Sequence, residues 1–525
     1  MNVPLTPLRC IRYAEEQFPH NTAVVCDGLR FTYRQFADRA ARLGGCLLSL
    51  GIQPGDRVAF LSTNCHSLLE AYYGVLEAGA VLLPLNIRLA AKELEFILND
   101  SDAKILFVET QFLPLVEAFR LQTPGIRSIV LLDAQPDLDW LAGENYEALL
   151  AAVHPHRRDI MDVDEDSMCE LFYTSGTSAH SKGVVLTHRN VYLHALNTGL
   201  ALKTPADGVE LHTIPLFHAN GWGKAHIVTL AGGTHVMVHQ FLPTQVFQLI
   251  QAERVQACCL VPTMANALVN CPERPSYDLS SLQTIMIGGA ASSPKLVREV
   301  EETLGCTCVS GYGLTETSPV VSISFMKQGI QATEPERHRR QSMAGHAVPG
   351  TELRLFDHDD HEVPADGQSV GQVVVRGDVV MQGYWNQPED TNRVFRGGWF
   401  HTGDLATMDE HGYIVIVDRE KDIIVSGGEN ISTLEVEKTI ATHPSVYETA
   451  VFAVPHDKWG EVPKAVVVLK PGESATAEEI LDLCRSCLAR YKCPHYIEFL
   501  ESLPKTGTGK ILKRELRAKT LQAVQ

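Results

Sequence analysis

Apolar residues in this chain recur at helical spacing in some stretches and cluster or alternate in short runs in others, and the two textures take turns. Residues 22–25 read as a strand, and 33–49 as a helix with Phe36, Ala40, Leu43 and Leu47 on one stripe. Residues 57–61 and 80–83 read as strands, 68–78 and 91–98 as helices, and 105–108 and 129–132 as further strands. This alternation predicts an open, mostly parallel sheet covered by helices. Residues 154–166 are charged and weakly periodic, and read as a connector.

A second series of the same kind follows. A helix over 191–200 leads to a strand at 211–214, and the apolar runs 227–230, 234–238 and 258–261 read as strands that extend it. The strand 282–287 runs into Gly288, Gly289, Ala290 and Ala291, and a helix over 294–304 opens with proline in its first turn. Beyond Gly345 the runs shorten and alternate, as at 352–356 and 372–375, which predicts a small β-barrel or sandwich. After a strand at 413–417 comes the charged link Asp418-Arg419-Glu420-Lys421-Asp422. The rest reads as a compact α+β lobe: helix 433–442, strands near 450–454 and 465–469, and helix 477–489.

The length of 525 residues predicts three or four structural units at roughly 100–200 residues each. With 45% hydrophobic and 21% charged residues, the composition is that of a globular protein. The net charge of −18 argues against a nucleic-acid partner, which needs a basic face, although a local pocket can still hold an anionic nucleotide. No membrane span is visible: the apolar run around residues 78–85 is too short and is broken by Pro84. The first residues carry no basic stretch before an apolar core, so no secretion signal is expected. The 13 cysteines are scattered, which suits a reducing cytoplasm. Cys484 and Cys487 share a predicted helical face with Ile480, Leu483 and Leu488, which favours packing over a metal or redox pair.

Candidate chemistry concentrates in a few loops. Tyr173-Thr174-Ser175-Gly176-Thr177-Ser178-Ala179-His180-Ser181-Lys182 combines hydroxyls, a glycine and a lone cation, followed by Gly183. Exposed N–H groups, hydroxyls and an ammonium suit a phosphate chain, although on these residues alone a polar surface loop fits equally well. The spacing is not that of a Walker loop. Gly288 to Ala291, at the carboxyl end of a buried strand, reads either as a ligand-facing edge or as a tight turn. In Ser310-Gly311-Tyr312-Gly313-Leu314-Thr315-Glu316-Thr317, a ring that can lie on a purine precedes a hydroxyl and a carboxylate. A carboxylate beside phosphate needs a hard cation between them, which suggests Mg2+. Asp404, after Trp399-Phe400-His401-Thr402-Gly403, can take the two hydroxyls of a ribose. Lys510 follows the flexible Thr506-Gly507-Thr508-Gly509. Each of these also reads as an ordinary loop or turn.

Taken in order, these motifs resemble the adenylate-forming superfamily: acyl-CoA synthetases, luciferases and the adenylation domains of peptide synthetases. The resemblance runs from about residue 22 to 517. It implies an α/β fold in which residues 1–419 form two doubly wound α/β subdomains and a small β-barrel. A hinge at Lys421 then joins them to a small mobile α+β domain, residues 420–525. By the same resemblance, Thr174, Ser175, Gly176, Thr177, Ser178 and Lys182 cradle the β and γ phosphates of ATP. Gly289, Ala290, Ala291, Gly311 and Gly313 enclose adenine, with Tyr312 stacked on it. Thr315 meets the α-phosphate, Glu316 holds Mg2+, Asp404 holds the ribose with Arg419 nearby, and Lys510 reaches the substrate carboxylate and the α-phosphate. The small lobe then rotates, and Gly427, Gly428 and Glu429 line a passage for CoA.

The phosphate stretch departs from the family pattern: Ser178 stands for threonine, Ala179 for glycine and Ser181 for proline. Alanine resists positive φ, at a cost of ~1 kcal/mol where a loop requires it. Pro215-Leu216-Phe217-His218-Ala219-Asn220-Gly221-Trp222-Gly223 resembles medium- and long-chain fatty acyl-CoA synthetases, in which that tryptophan gates an acyl tunnel. His218, Trp222 and Gly288 are the acyl-pocket residues this implies. The expected activity is ATP-dependent ligation of a fatty acid to CoA through an acyl-AMP, with a small-molecule acid, ATP and CoA as partners. A homodimer is compatible with it. The rivals are an acyl-AMP ligase that loads a carrier protein, and an inactive nucleotide-binding regulator.

Overall fold

The computed structural model describes residues 2–133, 144–174, 181–419, 422–426, 429–456, 458–506 and 509–523. Ser175, Gly176, Thr177, Ser178, Lys421, Gly427 and Gly428 lie outside the described residues.

Two large sheets dominate. One has eight strands, in spatial order Gly383–Tyr384, Lys182–Thr187, Met168–Thr174, Val81–Pro84, Arg57–Leu61, Ala103–Val108, Ser128–Leu131 and Glu144–Asn145. Its pairings are parallel from Met168–Thr174 onward and antiparallel before it. The other has nine strands, with a parallel centre from Thr307–Gly313 across to Thr22–Cys26 and antiparallel additions at both ends. The unit expected beyond Gly345 is a five-stranded antiparallel sheet in which the long strand Trp399–Met408 pairs with three others. The C-terminal lobe carries its own five-stranded sheet and a separate apolar core around Ile424, Ile431, Val436, Ile440 and Val451.

Several elements form where the pattern placed them. The helix Tyr33–Ser49 is capped by Thr32, whose side chain accepts from the Gln35 N–H while Gln35 reaches back to the Thr32 backbone. It buries Phe36, Ala40, Leu43 and Leu47, the stripe predicted. It crosses the helix His66–Glu77, which is buried all round. The crossing is close because Gly74 has no side chain: a Cβ there would stand 2.7 Å from Leu43 Cβ and 2.8 Å from Ala40 O. Buried carboxylates on that helix are paired, Glu70 with Arg39 at 2.6 Å and Glu77 with Arg12 at 2.7 Å, as desolvated charges must be.

Three expectations need correction. The strand Thr22–Cys26 belongs to the nine-stranded sheet, beside Thr234–Met237, and not to the sheet of the residues that follow it. Parallel partners distant in sequence leave no local mark, so chain order was a poor guide. The run at 227–230 is the end of a helix, Lys224–Leu230, and not a strand. That helix is buried on nearly every side, so its apolar run has no period to separate it from a buried strand. Cys484 is buried as expected, but Cys487 is exposed because the helix ends there and its apolar face has already turned away.

Substituting Gly74→Ala is expected to force the two helices apart and lower stability by about 1–3 kcal/mol, the usual range for overpacking. Urea denaturation of the variant beside the parent checks this.

Candidate active site

The predicted segments gather at the carboxyl ends of strands in both large sheets, where open α/β sheets leave a crevice. Thr174 ends the strand Met168–Thr174, and Lys182 opens Lys182–Thr187, its antiparallel partner, in the pair Thr174↔Lys182. Thr174 and Lys182, on either side of the phosphate stretch, are therefore held opposite each other. Gly288 follows Thr284–Ile287, and Gly311, Tyr312 and Gly313 close Thr307–Gly313. Gly313 permits a close turn, since a Cβ there would fall 1.8 Å from Pro319 O.

Around this crevice the polar side chains hold one another. Tyr312 donates its hydroxyl to Asp404 Oδ2 at 2.7 Å, and Arg419 Nε lies 3.2 Å from Asp404 Oδ1. Asp404 and Arg419 face each other across adjacent strands. A carboxylate offers about four lone-pair sites, so this pairing leaves roughly one on each oxygen for an incoming diol. Thr315 is buried, and Glu316 is half-buried, with burial raising its carboxyl pKa above the ordinary range. Tyr384 donates to Glu316 Oε1 at 3.0 Å. Lys182 sits 2.6 Å from Asp390 and over the Tyr384 ring at 5.0 Å.

Lys510 comes from the C-terminal lobe into the same crevice. A Cβ on Gly289 would stand 3.3 Å from Lys510 Cε and 3.4 Å from Trp222 Cζ2. The lysine's segment is anchored on the large region by Arg88, which donates to Thr506 O at 3.1 Å. Burial pushes the Lys510 ammonium down to about 8; Arg419 adds to this, and Asp404 and Glu316 oppose it. His218 is held down at about 3 by burial and by the charge of Lys510, so it is neutral at physiological pH. Trp222 is buried and packs on Gly288. Ala290 and Ala291 are exposed on the crevice wall. Glu429 is exposed on the edge strand Glu429–Ile431 of the C-terminal sheet.

Residues 11–385 match the family model described as AMP-binding enzyme, and residues 435–510 match that of the AMP-binding enzyme C-terminal domain. The chain belongs to the AMP-binding enzyme family. It is 36% identical to the peroxisomal butyrate–CoA ligase AAE11 of Arabidopsis thaliana, over 98% of this chain and 93% of that one. It is 39% identical to a long-chain-fatty-acid–CoA ligase of Thermus thermophilus, over 93% of this chain and 90% of that one. The anthranilate CoA ligase AuaEII, solved in complex with anthranoyl-AMP, superposes with a TM-score of 0.91 at 27% identity, over 100% of this chain and 99% of that one.

In this AMP-binding enzyme several site residues escaped sequence reasoning. Tyr384 and Asp390 connect Lys182 to Glu316, yet they lie some 200 residues beyond that lysine, in an unremarked two-residue strand and the helix after it. A second group supports Trp222. Ala219, Asn220, Gly221, Trp222 and Gly223 all have positive φ, from 45° to 81°, forming one left-handed turn. Such backbone costs a non-glycine residue roughly 1–2 kcal/mol and persists only when its surroundings hold it. Asn220 does so: its Oδ1 accepts from Gly223 N at 2.6 Å, and its Nδ2 donates to Glu170 Oε2 at 2.8 Å. Glu170 Oε1 meets His226 Nε2 at 2.8 Å, and all three side chains are buried. Glu170 lies on Met168–Thr174, so one carboxylate ties the strand that leads to the phosphate stretch to the turn that carries Trp222. A charged residue amid Cys169, Leu171 and Phe172 was the available signal, since a lone carboxylate in an apolar strand implies a buried partner.

Asn220→Ala is expected to release this turn. Stability should fall by about 1–3 kcal/mol, because Glu170 loses a buried donor. Steady-state kinetics should show KM for the acid rising about tenfold or more, while KM for ATP moves by less than about threefold.

Proposed function

We propose that this enzyme, an ATP-dependent acid:CoA ligase, activates an apolar acid of medium or long chain. The observation that carries the proposal is the surrounding of Trp222. Ile214, Cys259, Val261, Met286, Val309, Val320, Ile323 and Val348 form an apolar cluster with it. The buried ion pair Lys224–Glu210, 2.8 Å apart, neutralises itself, so neither member is a free charge for a polar tail. A pocket of this kind selects on apolar contact, and one methylene in such a pocket is worth about 1–3 kcal/mol. The names of the relatives span butyrate, long-chain and aromatic acids, so the pocket's own residues carry the choice.

The roles of the site residues follow from charge. A carboxylate attacking an α-phosphate brings two anions together, and cations must offset their repulsion. Lys510 supplies one at the point where acid and α-phosphate meet, with Thr315 beside it. The loop of Thr174, Ser175, Gly176, Thr177, Ser178 and Lys182 holds the outer phosphates. Gly289, Ala290, Ala291, Gly311 and Gly313 form the adenine slot against Tyr312, and Asp404 and Arg419 take the ribose. Glu316 fits a hard cation: its desolvated carboxyl is oriented by Tyr384 and makes no ion pair among the described residues. Mg2+ bound there would offset triphosphate charge. His218, Trp222 and Gly288 line the acyl pocket. The C-terminal domain of residues 420–525 turns about Lys421, withdrawing Lys510 and bringing Gly427, Gly428 and Glu429 to the CoA passage. No helix among the described residues is long and apolar enough to cross a membrane. All 13 cysteines are free, which suits the cytoplasmic location we assign.

Lys510→Ala is expected to lower acyl-AMP formation by about 10²–10³-fold or more, while purified acyl-AMP still reacts with CoA at a rate within a few-fold of the parent. Pyrophosphate release and acyl-CoA formation, assayed separately, distinguish the two steps. Because the Lys510 pKa is depressed, its ammonium is lost as pH rises through about 8. The pH profile of kcat/KM for adenylation should fall above that point, and the variant should lack this limb. A panel of octanoate, palmitate, butyrate, benzoate and anthranilate should rank the first two highest. Preference for an aromatic acid contradicts the apolar-chain assignment, and transfer only to a carrier protein contradicts CoA as acceptor.

A further inference from the structure

Away from the crevice, a second polar cluster lies where the first hairpin meets the helix His66–Glu77. Cys26 ends the strand Thr22–Cys26, and Asp27 and Gly28 make the tight turn that pairs Cys26 with Leu29. His239 follows the neighbouring strand Thr234–Met237. Cys26 Sγ, an Asp27 oxygen and a His239 nitrogen all lie within 4.8 Å of one another. The His239 Nε2 is 2.5 Å from Asp27 Oδ2 and 4.0 Å from Cys26 Sγ.

The other face of His239 fixes which nitrogen is available. Thr63 donates its hydroxyl to Glu109 Oε1 at 2.7 Å, so its lone pairs must accept from His239 Nδ1, also 2.7 Å away. Nδ1 therefore carries a proton, and a neutral His239 presents the lone pair of Nε2 to the Asp27 carboxylate. At that distance a proton lies between the two atoms, and a metal ion taking both as ligands would displace it. A hydroxyl and a carboxylate behind a histidine are also the arrangement that orients metal-ligating imidazoles.

We propose that Cys26, Asp27 and His239 bind a single divalent transition-metal ion of the zinc type. One thiolate, one imidazole and one carboxylate make a borderline-soft set, with a fourth position for water, that suits Zn2+ and not Mg2+ or Ca2+. The ion joins the turn of the first hairpin to the end of the neighbouring strand Thr234–Met237 and, through the Thr63 contact to His239, to the segment before the helix His66–Glu77. Asn64, between Thr63 and His66, donates to His212 O at 2.8 Å and accepts from Leu216 N at 2.7 Å. The tether therefore also steadies the segment that runs on to His218.

Co2+ titration of chelator-treated full-length protein tests this, in a Cys487→Ser background because that thiol is exposed. One equivalent should bind with a thiolate-to-cobalt charge-transfer band and tetrahedral visible absorption, and stoichiometric Zn2+ should displace it. Cys26→Ser should abolish the charge-transfer band. Asp27→Asn, on an exposed turn that tolerates asparagine, and Thr63→Val should weaken binding by about tenfold or more. Thermal unfolding should rise with Zn2+ in the parent and not in Asp27→Asn. No thiolate band in the parent at micromolar cobalt, or an equal band in Cys26→Ser, overturns the proposal.

Discussion

A desolvated ammonium at the seam between two lobes is the interaction on which this site depends. Lys510 leaves the C-terminal lobe and reaches Gly289, Trp222 and the neighbourhood of His218, Asp404 and Glu316. Burying a lysine is unfavourable, and its pKa falls accordingly. The cost is tolerated because two carboxylates lie close by, and because a cation out of water acts far more strongly on an incoming anion than one on the surface. Burial and the charge of Lys510 also keep His218 neutral, so positive charge is concentrated on the lysine.

The frame around that lysine is built to keep its partners still. Asp404 is fixed from both sides by Tyr312 and Arg419, Glu316 by Tyr384, and Lys182 by Asp390. Each holds its orientation before any ligand arrives, which lowers the reorganisation needed at reaction. Trp222 is fixed differently, by a strained left-handed turn clamped to Glu170. Since Glu170 sits on the strand that ends at Thr174, that strand and the turn carrying Trp222 are tied together.

Much of the fold was legible because local pattern and burial agree. The helices at Tyr33–Ser49 and Pro294–Leu304 and the strand Glu352–Phe356 have the limits their periodicity gave. Legibility failed where partners are distant in sequence or where burial is uniform. Thr22–Cys26 looks like any half-buried strand, and nothing in it says which sheet it joins. Lys224–Leu230 is apolar on all sides, so its run carries no period. In the site, residues in compact motifs such as Tyr312 and Glu316 could be named from sequence, and the structure brings them together with Asp404, Arg419 and Lys510. Tyr384, Asp390 and Glu170 could not, because each acts by holding another side chain and has no motif of its own.

The account stands on the two lobes closing over a triphosphate with Lys510 between it and the acid. Diffraction from crystals grown with a non-hydrolysable ATP analogue, Mg2+ and a fatty acid tests it most directly. It predicts the purine against Tyr312, the ribose hydroxyls on Asp404 and Lys510 Nζ within hydrogen-bond reach of the α-phosphate. A nucleotide bound elsewhere, or one in the crevice with Lys510 far from the α-phosphate while the acid lies beside it, contradicts the account.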